Sequence, residues 1–275
     1  MDGSITHNRI GIRPVADFET QNYQIMTHLN TGTDLQVSTE TAIGFIPCYR
    51  LPFLSLFHAD CMEIMKQYPD KYFDLAIVDV PYTDDYTGMK NINSDMKGKE
   101  AKQGKYHYNS LTNAKPNNEY WNELKRVSKN QIVWGGNYFT DVLAVSDNWI
   151  VWKKMDMKCT YKPFELAWTS LSKSLFIDFL WAGMWQKDMK NKEQRIHPTQ
   201  KPQQVYAELL NQYATEGMKI LDTHFGSGSI FLAVDKANRL DKMNLHLTAC
   251  EIDKEYIDKA IKRISESIKQ GTLSF

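Results

Sequence analysis

Seven short runs of apolar, β-branched or aromatic residues, several of them separated by segments of helical period, constrain the fold of this chain more than any other feature. They are LSLFHAD from Leu54, FDLAIVDV from Phe73, QIVWGG from Gln131, NWIVWK from Asn148, FELAWTS from Phe164, KILDTH from Lys219 and LHLTACEI from Leu245. Helical period marks NNEYWNELKRVSK, where Tyr120, Trp121, Leu124 and Val127 share a face, and KPQQVYAELLNQYA, where Pro202 falls in the first turn and Val205, Leu209 and Tyr213 recur every fourth position. SGSIFLAVDKANRL opens with capping serines, and DKEYIDKAIKRISESIKQ opens at Asp253 and buries Tyr256, Ile257, Ala260, Ile261 and Ile264. Strands alternating with amphipathic helices predict an α/β sheet with helices on both faces. NWIVWK and FELAWTS, joined by a polar link, predict an antiparallel hairpin at the sheet edge.

Residues 1–50 have weak periodicity and many polar positions, so they read as an N-terminal arm or irregular extension ahead of one α/β domain over 51–275. Within that domain residues 83–116 are lysine-rich and contain Gly88, Gly98 and Gly104, the composition of a long polar loop over a site. The apolar run SLFIDFLWAGMW, Ser174 to Trp185, is broken by Asp178 and is too short to span a bilayer; it reads as core or as an interaction surface. The first thirty residues hold charges and no apolar run, so no signal peptide or anchor is expected and the predicted location is cytoplasmic. Cys48, Cys61, Cys159 and Cys250 are scattered without a C-x-x-C pair, which argues against zinc and against a disulfide framework.

Two places carry chemistry. ILDTHFGSGSIFLA, Ile220 to Ala233, is a strand, a Gly/Ser turn and a helix start, where Gly226 and Gly228 let a ligand approach the backbone; a plain tight turn would look the same. Phe231 stands where a dinucleotide fingerprint wants its third glycine, which weakens an NAD or FAD reading. The second is FDLAIVDVPYTDD, Phe73 to Asp85, in which a buried strand ends at Asp79. Asp60, Asp79, Asp222 and Glu251 all follow strands, and ligands of open α/β sheets bind outside strand carboxyl ends, so these acids are expected around one crevice, although Asp60 equally suits a helix cap. Carboxylates there suit a ligand with hydroxyls, an exocyclic amine and positive charge, as S-adenosylmethionine has.

DVPY resembles the D-P-P-Y motif of amino-methyltransferases, HFGSGS resembles their F-x-G-x-G motif, and RIHPTQKP, Arg195 to Pro202, is similar to the segment preceding F-x-G-x-G in the β-group of DNA methyltransferases. The similarity covers roughly Leu54 to Ile264, in that group's permuted order, catalytic motif first. It implies a Rossmann-like methyltransferase fold with a mostly parallel seven-stranded sheet, S-adenosylmethionine as cofactor, and transfer to an exocyclic amine of double-stranded DNA. Phe225, Gly226, Ser227, Gly228 and Ser229 would line the cofactor. Asp222 would lie by its methionine end, Glu251 and Ile252 by the ribose, Asp60 by the adenine, and Thr199 and Lys201 would hold its carboxylate. Asp79 and the Val80 carbonyl would hold the amine, Pro81 would stiffen the turn and Tyr82 would stack on a flipped base.

Val80 departs from the family's usual proline. Aspartate rather than serine at position 79 favours adenine N6 over cytosine N4. Cytosine-N4 transfer, the same chemistry on RNA or a protein amide, and a non-catalytic nucleic-acid-binding relative are the rival readings; no metal is implied, and many members of the group pair as homodimers. The 33 basic and 33 acidic side chains cancel, yet residues 90–129 hold nine Lys/Arg against four Asp/Glu and residues 153–201 ten against five, which predicts a basic face for DNA phosphates. Target recognition is expected from an insertion at about 171–195, from the 83–116 loop or from the arm.

Overall fold

The computed structural model describes residues 45–82, 115–155, 162–182 and 185–272, all within one compact unit, Thr41–Phe275. The 1–44 part of the expected arm and the 83–114 part of the expected polar loop lie outside the described residues.

All seven apolar runs are strands: β2 (Leu54–His58), β3 (Phe73–Val78), β4 (Ser128–Trp134), β5 (Trp149–Lys153), β6 (Phe164–Thr169), β10 (Lys219–Asp222) and β11 (His246–Glu251). Two short strands extend the same sheet at its edges, β1 (Tyr49–Leu51) beside β2 and β7 (Leu175–Asp178) beside β5. The described sheet thus has nine strands, in the order β1-β2-β11-β10-β3-β4-β6-β5-β7. Pairing is parallel from β2 to β4 and antiparallel at β4–β6 and β5–β6, so the expected hairpin forms, but β7 takes the edge next to it. In the expected 171–195 insertion, β7 joins the main sheet, and β8 (Trp181–Ala182) pairs with β9 (Trp185–Gln186) as a separate ribbon.

Side chains alternate across the sheet and build two cores. On one face Leu75, Ile77, Ile132, Trp134 and Ile220 pack against α3 (Gln203–Tyr213), α4 (Ser229–Asp241) and α5 (Lys254–Thr272). On the other, Phe73, Ala76, Val78, Val133 and Leu221 pack against α1 (Cys61–Met65) and α2 (Asn118–Val127), whose Tyr120, Trp121, Leu124 and Val127 form the inward stripe read from the sequence. Asn117 caps α2 by accepting from the Tyr120 amide, and Asp253 does the same for the amides of Glu255 and Tyr256 at the start of α5. Two capping details differ from expectation. Pro202 is the N-cap of α3 rather than part of its first turn, and α4 is preceded by Gly228 in the left-handed region (φ 71°), with Ser229 as its first residue.

Helix placement creates the crevice. From β3 the chain runs on to α2 on one face, whereas from β10 it turns directly into α4 on the other. Between neighbouring parallel strands whose connections leave in opposite directions, a gap opens beyond the carboxyl ends. β3 and β10 are such neighbours. Among the described residues, no helix is long and apolar enough to cross a membrane.

Candidate active site

Asp79 directly follows β3, and its side chain lines the cleft at that gap. Its Oδ2 accepts from Lys201 Nζ at 2.5 Å, and Lys201 also stands 3.4 Å from Glu165 Oε2 on β6. Glu165 accepts in turn from Lys154 Nζ at 2.7 Å. The Lys201 ammonium lies 4.9 Å from the centre of the Trp134 ring, and only 5% of its side chain is exposed. Burial works against its charge, but the two carboxylates outweigh burial and raise its pKa above the ordinary lysine value. Burial is also the largest influence on Asp79 and pushes its pKa up against the pull of Lys201. Glu165 is half-buried, 29% of its side chain being exposed, and its two lysines hold its pKa below the usual carboxylate value against the partial burial.

The segment carrying Lys201 is tied down from several sides. Gln200 accepts from the Ile196 amide and donates to the Gln194 carbonyl, while Glu193 accepts from the Gln203 amide and from Arg263 on α5. Lys201 was expected to hold a cofactor carboxylate; its charge instead meets two carboxylates of the protein, because the end of β3 and β6 both face it. Thr199 Oγ1 is engaged with His197 Nδ1 at 3.1 Å.

Val80 is 1% exposed and packs in the core with Val78 and Phe139. Apolar packing therefore anchors the turn at the position where the motif usually has a ring. Tyr82 is half-buried and stacks on Tyr138, with centroids 4.6 Å apart and planes 4° from parallel. Gly135 makes room for this ring: it has φ +68°, and a Cβ there would lie 2.8 Å from Tyr82 Cδ1. Lys162 Nζ donates to the Tyr138 hydroxyl.

Across the cleft the Gly/Ser turn between β10 and α4 is held by Glu251, whose Oε2 accepts from the Gly226 amide at 2.9 Å and whose Oε1 accepts from the Asp253 amide at 3.0 Å. Gly226 has φ +53°, and a Cβ added to it would sit 3.7 Å from the His197 ring, in space the glycine leaves open. Gly228 lets the Phe225 ring pass, since a Cβ there would lie 3.1 Å from Phe225 Cζ. Asp222 lies beneath the turn, where its Oδ1 accepts from the His224 amide at 3.0 Å, and burial pushes its pKa up to about 7. His224 Nδ1 meets Thr223 Oγ1, which is also bonded to the Tyr120 hydroxyl at 2.7 Å. Burial lowers the pKa of His197 and of His224 to about 4, so both rings are neutral at neutral pH.

The cleft thus brings together Asp79, Val80, Pro81, Tyr82, Thr199, Lys201, Phe225, Gly226, Ser227 and Glu251 of the residues named from the sequence. Asp60, Asp222, Gly228, Ser229 and Ile252 are not part of its lining. Asp60 is exposed and caps α1 through the Met62 amide at 2.8 Å, so the cap reading describes it. Ile252 is 44% exposed, because it follows β11 outward past the sheet. Ser229 Oγ accepts from Arg263 on α5, behind the turn. Counting back from Gly226 and Gly228, the first position of F-x-G-x-G falls on His224, which lines the cleft alongside Phe225. Sequence reasoning missed Glu165, Tyr138 and His224. Within the expected basic segment 153–201, Lys153 pairs with Asp178 and Lys154 with Glu165, acids already counted in its balance, while Lys201 pairs with Asp79 from outside it. Among the described residues, no cluster of three or more His, Cys, Asp or Glu could hold a metal ion.

A mostly parallel sheet flanked by helices on both faces, with a glycine turn after β10 and an aspartate turn at the tip of neighbouring β3, defines a Rossmann-like methyltransferase fold. A family model for N6/N4-type DNA methylases matches residues 56–262, and the chain belongs to this DNA methylase family. The Type II methyltransferase M.HpaI of Haemophilus parainfluenzae is 34% identical over 74 residues, which is 27% of this chain and 22% of that protein. The chain therefore matches about a fifth of the length of that relative. In fold the chain is similar to the cytosine-N4-specific PvuII DNA methyltransferase, with a TM-score of 0.50 and 11% identity over 82% of this chain and 95% of that one. The M1.HpyAVI complex with S-adenosylmethionine aligns at a TM-score of 0.46 and 17% identity, over 76% of this chain and 99% of that one.

Proposed function

We propose that the protein transfers a methyl group from S-adenosylmethionine to the exocyclic N6 amine of an adenine flipped out of double-stranded DNA. The observation that carries this reading is the juxtaposition, across one cleft, of Asp79 with the glycine turn held by Glu251. The open space at Gly226 and the carboxylate beneath it fit a nucleoside with ribose hydroxyls. Phe225, Gly226, Ser227, Glu251 and Thr199 would hold the cofactor, with Asp222, Gly228, Ser229 and Ile252 supporting the turn and strand ends around it. When bound, S-adenosylmethionine supplies an electrophilic methyl on a sulfonium.

The rest of the chemistry belongs to the chain. An exocyclic amine is a weak nucleophile because its lone pair is delocalised into the base. Asp79 Oδ1 and the Val80 carbonyl accept its two hydrogens, which orients the lone pair and concentrates electron density on nitrogen. Asp79 then takes the proton that the methylated nitrogen loses. Tyr82, backed by Tyr138, offers a flat face for the extruded base. Adenine N6 is favoured by the aspartate at position 79. Sequence readout is assigned to residues 171–195, where Phe176 and Trp185 are exposed.

Asp79→Ala tests the assignment. Cofactor affinity should stay within about twofold while methyl transfer falls by about 10³ or more, the scale expected when a positioned polar group is removed from a transition state. Gly226→Val should instead abolish cofactor binding. Full transfer by Asp79→Ala would refute the role of the carboxylate.

A further inference from the structure

Glu165 belongs to none of the motifs described above, yet it is the second carboxylate on the lysine that grips the catalytic aspartate. It lies on β6, which pairs with β4 rather than with β3, so it approaches Lys201 from a different strand than Asp79 does. Lys201 donates to Asp79 Oδ2, and among the described residues nothing donates to Asp79 Oδ1, although this side chain is 19% exposed at the cleft. One carboxylate oxygen is therefore committed and the other is available to a ligand.

We propose that Glu165 is a positioning residue for Asp79: by sharing the Lys201 ammonium from the opposite side, it limits how far that cation neutralises Asp79 and keeps Oδ1 a strong acceptor for the base amine. The inference rests on the adenine-methyltransferase reading of Asp79.

A desolvated ammonium with one carboxylate forms a tight pair whose oxygens lose basicity; with two carboxylates the same positive charge is divided. Lys154 pairs with Glu165 from its other side, so the four groups together carry no net charge. The other ionisable groups coupled to this cluster are Tyr206 of α3, Asp222 of β10 and His197 of the segment before α3. None of these forms an ion pair with Lys201, whereas Glu165 Oε2 does so at 3.4 Å. Removal of the Glu165 charge lowers the pKa of Asp79, consistent with Glu165 being one of the influences that raise it.

The test compares wild type, Glu165→Gln and Glu165→Asp. The proposal expects Glu165→Gln to slow single-turnover transfer by at least about tenfold, to move the acid limb of the pH–rate profile to lower pH, and to leave cofactor affinity within about twofold. Glu165→Asp should recover part of the rate. In parallel, the Asp79 side-chain carboxyl, followed by ¹³C NMR without DNA, should titrate at lower pH in Glu165→Gln. An unmoved titration, or a loss of thermal stability with rate and pH profile unchanged, overturns the proposal. Because the titration needs no methyl transfer, a moved titration in a protein that methylates no DNA upholds the coupling and refutes only the methyltransferase reading.

Discussion

Replacing His224 by Phe, the residue the F-x-G-x-G motif carries at this position, should make the protein less sensitive to acid. Burial lowers the His224 pKa to about 4 from the ordinary 6.5. With the proton of the neutral ring on Nε2, Nδ1 accepts from the Thr223 hydroxyl, which leaves the Thr223 oxygen to accept from Tyr120. Protonation would break that chain and place a charge beside the buried strand ends. A histidine whose folded pKa is depressed contributes stability above its unfolded pKa and loses it as pH falls. At about pH 5 the unfolded chain is almost fully protonated at this residue and the folded chain about one-tenth so, a difference of about 2 kcal/mol. The ring borders the cleft, and solvent there reduces the figure.

Phe also forfeits the Thr223 bond, but that loss is the same at every pH and cancels in the comparison. Urea unfolding of both proteins at about pH 8 and about pH 5 should show the stability difference moving in favour of Phe by about 1–2 kcal/mol on acidification. A difference that does not change with pH would refute the neutral buried imidazole. His197, lowered to about the same value, keeps part of the acid sensitivity in the variant.

Asp222 has the opposite sign. Its folded pKa is raised from 3.8 to about 7, so its contribution is fully present below the unfolded value and is lost as pH rises through the folded one. Asp222→Asn should therefore stabilise the protein by up to about 4 kcal/mol at about pH 8 and by nothing below about pH 4, read by thermal denaturation in both buffers; equal effects at the two pH values would contradict the buried acid. Gly135→Ala should cost about 1–2 kcal/mol for its left-handed backbone and should displace the Tyr82 ring. The measurable outcome is a raised KM for DNA with unchanged cofactor affinity, and an unaltered KM would show that Tyr82 does not contact the base.

The core of the fold was legible because its strands and four of its helices carry strong periods: β3 is apolar at nearly every position, as a strand covered on both faces must be, and α2 shows one clean stripe. β1 and β7 escaped notice because edge strands are half-exposed and short, so they lack that pattern. The four strand-end acids were expected around one crevice; they follow the adjacent strands β2, β11, β10 and β3, but position along a row does not say which carboxylate turns inward, and Asp60 turns to its own helix. The Lys201–Asp79 contact joins residues 122 positions apart, and nothing in local composition identifies which acid a lysine will meet. Glu165 did leave a signal, a charge inside the otherwise apolar FELAWTS, and His224 could have been found by counting back from the two glycines.

The most direct measurement is incubation of the protein with isotopically labelled S-adenosylmethionine and unmethylated duplex DNA, followed by digestion and identification of the labelled nucleoside. The proposed function predicts N6-methyladenosine, in its deoxy form, as the product. Label in N4-methylcytosine would contradict the choice of base, and cofactor binding without any labelled nucleoside would contradict the enzyme itself.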